Sequence, residues 1–271
     1  MNFKSLFAGA FFAIALFGNP VISRAQDAAK EPVAVVKTDG KPIVLARTYK
    51  VGDVKTYKST IKTQVMGADV TVMGGSKITI KEVKADGNVT TEHVPLESTV
   101  EFNGSSMPQP AGKPITTTAD KFGKMAGYVA QEEAQSLMAP EVQKLLASIS
   151  DIITTSKEVK ASDSWETELE NPTLKGKTFK LKTTYLGTEK VQDVEYWKLE
   201  QTAEIVVDDA GAKMNTKFIE WLNPVDGSMF KVKATIKGLP TSMFGPIDLD
   251  QTLTLTKNED KKEEVKEKPT K

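Results

Sequence analysis

The chain predicts a mainly β (α+β) fold: a long curved antiparallel sheet or half-barrel with one or two helices on its concave face. Three observations predict it. Apolar and polar residues alternate with a period of two along most of the length. Short Asn/Asp/Gly turns separate the alternating runs. Only one stretch switches to helical spacing.

The first 25 residues read as an export signal and not as part of the fold. Lys4 provides the positive start, residues 5–17 are apolar, Gly18-Asn19-Pro20 breaks the helix, and Ser23-Arg24-Ala25 supplies small residues where a signal peptidase reads. The apolar run is shorter than the roughly 20 residues a membrane span needs. Cleavage after Ala25 follows, with a retained N-terminal anchor as the alternative. Residues 26–44, polar and carrying Pro32 and Pro42, read as a flexible arm. Residues 257–271 hold Val265 as their one apolar side chain and read as a disordered charged tail. The folded domain is expected over 45–256.

Within it, Tyr57, Ser59, Ile61, Thr63 and Val65 share a strand face, and Ile78 and Ile80 alternate with lysine and threonine. Asp86-Gly87 turns the chain into Val89–Leu96, and Asn103-Gly104 marks a second hairpin. Further along, Phe179, Leu181, Thr183 and Tyr185 oppose Lys180, Lys182 and Thr184. Trp197, Leu199, Ala203, Ile205 and Val207 share a face. Asp208-Asp209-Ala210-Gly211 leads into Lys213–Leu222, and the turn 223–227 leads into Phe230, Val232, Ala234 and Ile236. Ile247, Leu249, Leu253 and Leu255 make the last strand. Tight turns impose antiparallel neighbours, and one apolar face per strand means one packed and one wet side. The helical region is about 129–154. Pro140 suits a first helical position, and Val142, Leu145, Leu146, Ile149, Ile152 and Ile153 form a wide apolar stripe that must be buried. A short echo flanks it: Lys50-Val51-Gly52-Asp53 and Lys160-Ala161-Ser162-Asp163 each lead into a strand. It reads as ordinary turn chemistry or as an internal duplication.

Composition excludes much chemistry. The 271 residues carry 36 Lys+Arg, 36 Asp+Glu, one His and no Cys. No disulfide, thiolate metal site, thiol nucleophile or lipid-modified cysteine can form, nor any site needing two imidazoles. Zero net charge argues against nucleic acid as a partner. Beyond residue 25 the only arginine is Arg47, and arginine is the side chain that grips phosphate with a rigid fork. There is no Gly-rich phosphate loop, no Gly-x-Ser-x-Gly elbow and no calcium loop. His93 reads as a strand histidine facing solvent. Asp248 and Asp250 lie in phase with threonines on the wet face and read as solubilising, which leaves a carboxylate hydrolase as the weakest reading. No catalytic residue, metal ligand or cofactor is expected. Asn88-Val89-Thr90 and Asn103-Gly104-Ser105 match the glycosylation triplet on turns.

Eight methionines beyond the signal suit irregular apolar space or an adaptable binding surface. The loop 238–246, with Leu239, Met243 and Phe244, reads as a lid, a lipid-contacting tip or a plain crossover.

The plan resembles the periplasmic LolA/LppX-like lipoprotein-carrier half-barrel group. Trp221-Leu222-Asn223-Pro224-Val225-Asp226-Gly227-Ser228-Met229-Phe230-Lys231 is similar to a strand–turn–strand phrase of such proteins, and Lys50-Val51-Gly52-Asp53 to the lead-in of related uncharacterised exported envelope proteins. The resemblance implies a curled sheet with helices on its hollow side; no site residue is transferred by it. The expected function is an exported, non-catalytic protein, secreted or periplasmic, binding a lipid or other apolar ligand between sheet and helix. The expected lining is Leu145, Ile149, Ile152, Trp197, Phe230 and Phe244. Membrane contact would be transient and an envelope protein is a further candidate partner. The alternative is a structural or interaction module of the cell envelope with no small ligand. The signal reading has a direct check: N-terminal sequencing of exported protein should begin at Gln26, and a chain retaining Met1 would refute it.

Overall fold

The computed structural model describes residues 36–37, 41–128, 138–149, 155 and 157–259. Among them the strands follow in order: β1 (Val36–Lys37), β2 (Ile43–Val44), β3 (Val54–Val65), β4 (Ala68–Val83), β5 (Val89–Pro95), β6 (Ser98–Phe102), β7 (Ser105–Gln109), β8 (Ile115–Ala119) and β9 (Met125–Tyr128). Helix α1 (Pro140–Ile149) comes next. Then follow β10 (Glu158–Val159), β11 (Ser164–Glu170), β12 (Thr178–Val191), β13 (Val194–Val206), β14 (Lys213–Leu222), β15 (Met229–Leu239) and β16 (Ile247–Glu259).

The expected fold class is the one observed: a large curved antiparallel sheet, not closed into a barrel, with one helix among the described residues. Fourteen strands join in the order β1-β12-β13-β14-β15-β16-β3-β4-β5-β8-β9, with β11 also on β12 and β6 and β7 continuing from β4. Two meanders are thus sewn together by one non-local seam, β16 on β3, where Leu253 faces Ser59 and Leu255 faces Tyr57. The sheet forks at Gly74-Gly75. Before it β4 pairs with β6, and after it with β5. Register shifts at Ile80/Glu82, Tyr185/Gly187, Trp221/Leu222, Ile236/Leu239 and Leu255/Lys257 are bulges, which add twist and bend.

Helix α1 starts where Pro140 predicts. Ala139 C=O accepts the first N–H groups, from Val142 and Gln143, and Glu141 sits in the positive first turn. Its stripe of Val142, Leu145, Leu146 and Ile149 joins the apolar side chains of the sheet, Tyr57, Ile61, Val72, Leu181, Ile205 and Phe218 among them, in one buried cluster. The flanking parts of the expected helix, 129–137 and 150–154, lie outside the described residues, as do the signal and most of the tail. Within the stretch expected as an arm, β1 pairs with Thr188 and Glu189, and β2 pairs with β10.

A second, smaller cluster holds Leu45, Val159, Tyr185, Leu199 and Leu222. A polar belt divides the two. Thr183 lies between Leu181 and Tyr185, Gln201 between Leu199 and Ala203, and Glu220 between Phe218 and Leu222. All three are buried, and Gln201 Nε2 donates to Thr183 Oγ1 at 3.3 Å. Buried polar groups need partners, and this bond ties facing residues of β12 and β13 together within the belt.

Two hairpin turns carry left-handed residues without the glycine pair that signals them. Met66-Gly67 closes β3–β4 and Gln192-Asp193 closes β12–β13, with φ of 49° and 69° at the latter pair. Gly227 has a stricter reason to be glycine. Its φ is 68°, and a Cβ there would overlap the carbonyl of Ala46. Gly227→Ala should therefore cost about 2–4 kcal/mol in urea unfolding. Gly67→Ala, also at positive φ but with open space around it, should cost only about 1–2 kcal/mol. Equal losses would remove the close approach as the cause.

Candidate functional site

At the end of the sheet where β3, β4 and β5 meet the turn 223–228 lies a cleft of about 120 Å³. Its floor is apolar: Tyr57, Ile78, Ile80, Met229 and Leu253. Tyr57 and Leu253 belong to the main cluster, and Met229 packs against both clusters. The polar side is made by Arg47, Asp53, Lys55, Ser76, Thr91, His93, Asp226 and Ser228. The one histidine and the one arginine beyond residue 25 therefore face the same small space.

Local sequence explains each position. On β4, Ser76, Ile78 and Ile80 point the same way by strand alternation, and β5 sets His93 opposite Ile78 and Thr91 opposite Ile80. His93 is thus half-buried in the cleft wall, not turned to solvent as expected from its phase with Val94 and Leu96. Its Nε2 lies 3.0 Å from Thr91 Oγ1, which in turn lies 2.7 Å from Thr117 Oγ1. A threonine hydroxyl held from both sides is a wall element and not an exposed nucleophile.

The other side is built by turns. Asn223 Oδ1 accepts the Val225 N–H, and Asp226 Oδ1 accepts the Ser228 N–H, in Asx-type bonds that shape the hairpin. Thr48 N–H then donates to Asp226 C=O at 2.8 Å, tying the segment after β2 to this turn. Lys55 Nζ reaches Asp226 Oδ2 at 3.1 Å, with side chains only 15% and 28% exposed. Burial pushes the Asp226 carboxyl upward. The Ser228 hydrogen bonds and the Lys55 charge outweigh it and hold the carboxyl below its usual range. Tyr57 Oη donates to Met229 C=O at 3.1 Å across the seam.

The turn bearing Asp53 has a twin. Gly52 N–H donates to Ile80 C=O, Ile80 N–H to Asp53 C=O, and Asp53 N–H to Lys50 C=O. Ser162 N–H donates to Tyr185 C=O, Tyr185 N–H to Asp163 C=O, and Asp163 N–H to Lys160 C=O. Gly52 and Ser162 share a left-handed φ, 90° and 78°. The echo in sequence is thus matched bond for bond. The side chains differ: Asp163 Oδ2 accepts the Lys160 N–H at 2.7 Å, while Asp53 Oδ1, shielded from solvent, accepts no hydrogen bond.

Of the lining expected from sequence, Leu145, Ile149 and Phe244 lie in or against the main cluster, with Leu145 and Ile149 fully buried. Trp197 packs against the smaller cluster, and Phe230 stacks on Tyr196 with ring centroids 4.3 Å apart. Ile152 lies outside the described residues. The cleft residues were not in that expectation; the signals that mark them are the solitary Arg47 and His93 and the two Asp-bearing turns. Among the described residues no group of three or more His/Cys/Asp/Glu could hold a metal, and no helix is long and apolar enough to cross a membrane.

Two measurements check this geometry. Tyr57→Phe, which removes only the seam hydroxyl, should cost about 1 kcal/mol of unfolding free energy. Asp226 contributes stability in full above the ordinary carboxylate range, and loses it as pH falls through its lowered folded-state pKa. Asp226→Asn should therefore flatten the acid limb of stability below about pH 4, leaving neutral-pH stability lower than wild type. An unchanged acid limb would remove the Lys55–Asp226 contribution.

No protein-family model matches the chain, and no curated protein matches it by sequence. Solved structures do overlap it in part. A lipovitellin chain, solved for its lipid–protein interactions, is 10% identical, with a TM-score of 0.46 over 78% of this chain. The overlap spans 26% of the lipovitellin chain. A hypothetical lipoprotein of Escherichia coli, YmcC, is 12% identical over 74% of this chain and 85% of its own, with a TM-score of 0.26. A putative outer membrane lipoprotein-sorting protein domain of Vibrio parahaemolyticus is 10% identical over 77% and 85%, with a TM-score of 0.21. The structural neighbours thus include proteins of the kind that the sequence resembles.

Proposed function

We propose that the protein is an exported, non-catalytic binding protein of the cell envelope that holds a lipid or other apolar ligand on the concave side of its sheet. The observation that carries this reading is the cleft itself: an apolar floor of Tyr57, Ile78, Met229 and Leu253 beneath a small set of polar groups. That combination, in about 120 Å³, suits the polar end of such a ligand and the apolar segment next to it. Tyr57 and Leu253 of the floor belong to the cluster that contains Leu145 and Ile149 and packs Phe244, which supports an apolar chain meeting that part of the expected lining. The single imidazole is engaged with threonine hydroxyls, which supports binding over catalysis.

The second reading, an envelope interaction module without a small ligand, is favoured by one observation. Val225 is 88% exposed and Val51 52% exposed, each at the tip of a turn beside the cleft, where a protein partner would find apolar contact. Native mass spectrometry of gently purified protein separates the two. The binding reading expects an adduct of lipid mass, and delipidated protein that takes up the neutral apolar dye Nile red in competition with it. Ile78→Glu should weaken dye binding at least about tenfold by placing a charge on the apolar floor. A dry preparation that binds no dye but captures an envelope protein would replace the first reading with the second.

A further inference from the structure

Resting on the binding reading above, we infer that the cleft takes its ligand by an uncharged hydroxyl-bearing head, with Asp53 as the acceptor: a single-chain amphiphile of the monoacylglycerol type. Three observations lead there. The first is the twin turns. Backbone bonding is the same at both, yet Asp163 spends its carboxylate on the Lys160 N–H while Asp53 keeps Oδ1 off its own turn and inside the cleft wall. A shielded carboxylate oxygen without a hydrogen bond is disfavoured in a folded protein, and a ligand donor removes the deficit.

The second is charge. Arg47 and Lys55 face Asp53 and Asp226 around one small space, so two cations meet two carboxylates. Lys55 and Asp226 already neutralise each other. A carboxylate head would be drawn by Arg47 but repelled by Asp53, and an ammonium head the reverse; a hydroxyl head is repelled by neither and can donate to Asp53. The third is surroundings. Tyr185, bonded to Asp163 through the backbone, lies in a buried cluster with Val159, Leu199 and Leu222, on which Trp165 and Trp197 pack. Ile80, bonded to Asp53 in the same way, lines the cleft with Ile78. The strand residue at one turn is thus covered by other side chains, and its counterpart at the other faces the cleft.

The experiment is isothermal titration of delipidated protein with 1-lauroylglycerol, lauric acid and dodecylamine, each below its aggregation concentration. Wild type should bind 1-lauroylglycerol at least about tenfold more tightly than the two charged probes. Asp53→Ala should lose about tenfold for 1-lauroylglycerol, and Asp53→Asn, which keeps an acceptor oxygen and removes the charge, should retain that binding and gain affinity for lauric acid. Asp163→Asn should leave all three titrations unchanged. If Asp53→Ala does not fold, the Asn variant decides by whether lauric acid gains. Nile red uptake with equal binding of the three probes, or with no response to either Asp53 substitution, overturns the Asp53 assignment and leaves the binding reading standing. Failure of all probes together with Nile red overturns the binding reading itself.

Discussion

The structure depends on one constraint: a long antiparallel sheet with one apolar face cannot leave that face in water. Leu145 and Ile149 of the helix and Ile61, Leu181, Ile205 and Met214 of the sheet are all at most 1% exposed. Burial on that scale comes from the sheet bending around the helix, helped by bulges in six of its pairings and by the fork at Gly74-Gly75. With no cysteine to staple the chain, packing carries this arrangement alone.

The same bending decides where packing stops. Helix and sheet side chains share one buried cluster, but at the end near the 223–228 turn the floor of Tyr57, Ile78 and Leu253 is met by short polar turns instead of another apolar layer. The β16–β3 seam is what assembles this end. It sets Met229 and Asp226 against Tyr57 and Lys55 across more than 170 residues of chain. The Gly227–Ala46 approach and the Thr48–Asp226 bond then hold the two turns together. Geometry that long-range is insensitive to any single strand's propensity and sensitive to the glycine that permits it.

Much of the fold is legible in the residues because its signals are local. Strand β14 covers Lys213–Leu222 as its alternation predicts, Asn103-Gly104 closes a two-residue hairpin, and Asp248 and Asp250 are exposed. The turns at Met66-Gly67 and Gln192-Asp193 were not legible. Met66, Gln192 and Asp193 adopt left-handed φ because the strands on either side impose it, and that demand leaves no compositional mark. The polar belt is a case between: Thr183, Gln201 and Glu220 fall on the apolar phase of their strands, but only their shared position across β12, β13 and β14 gives them a meaning.

By itself the sequence determined the class of fold, the helix over Pro140–Ile149 with its buried Val142, Leu145, Leu146 and Ile149, the antiparallel turns and the chemistry that composition excludes, since each of these follows from neighbours within a few residues or from composition. Tertiary structure alone decided that His93 faces inward, that Asp53 and Asp163 do different work in matching turns, and that Arg47, Asp53, Lys55 and Asp226 surround one cleft. The reason is physical: those residues meet only through strand register and the β16–β3 seam, and register is set by the whole sheet burying its inner face, not by any segment of it.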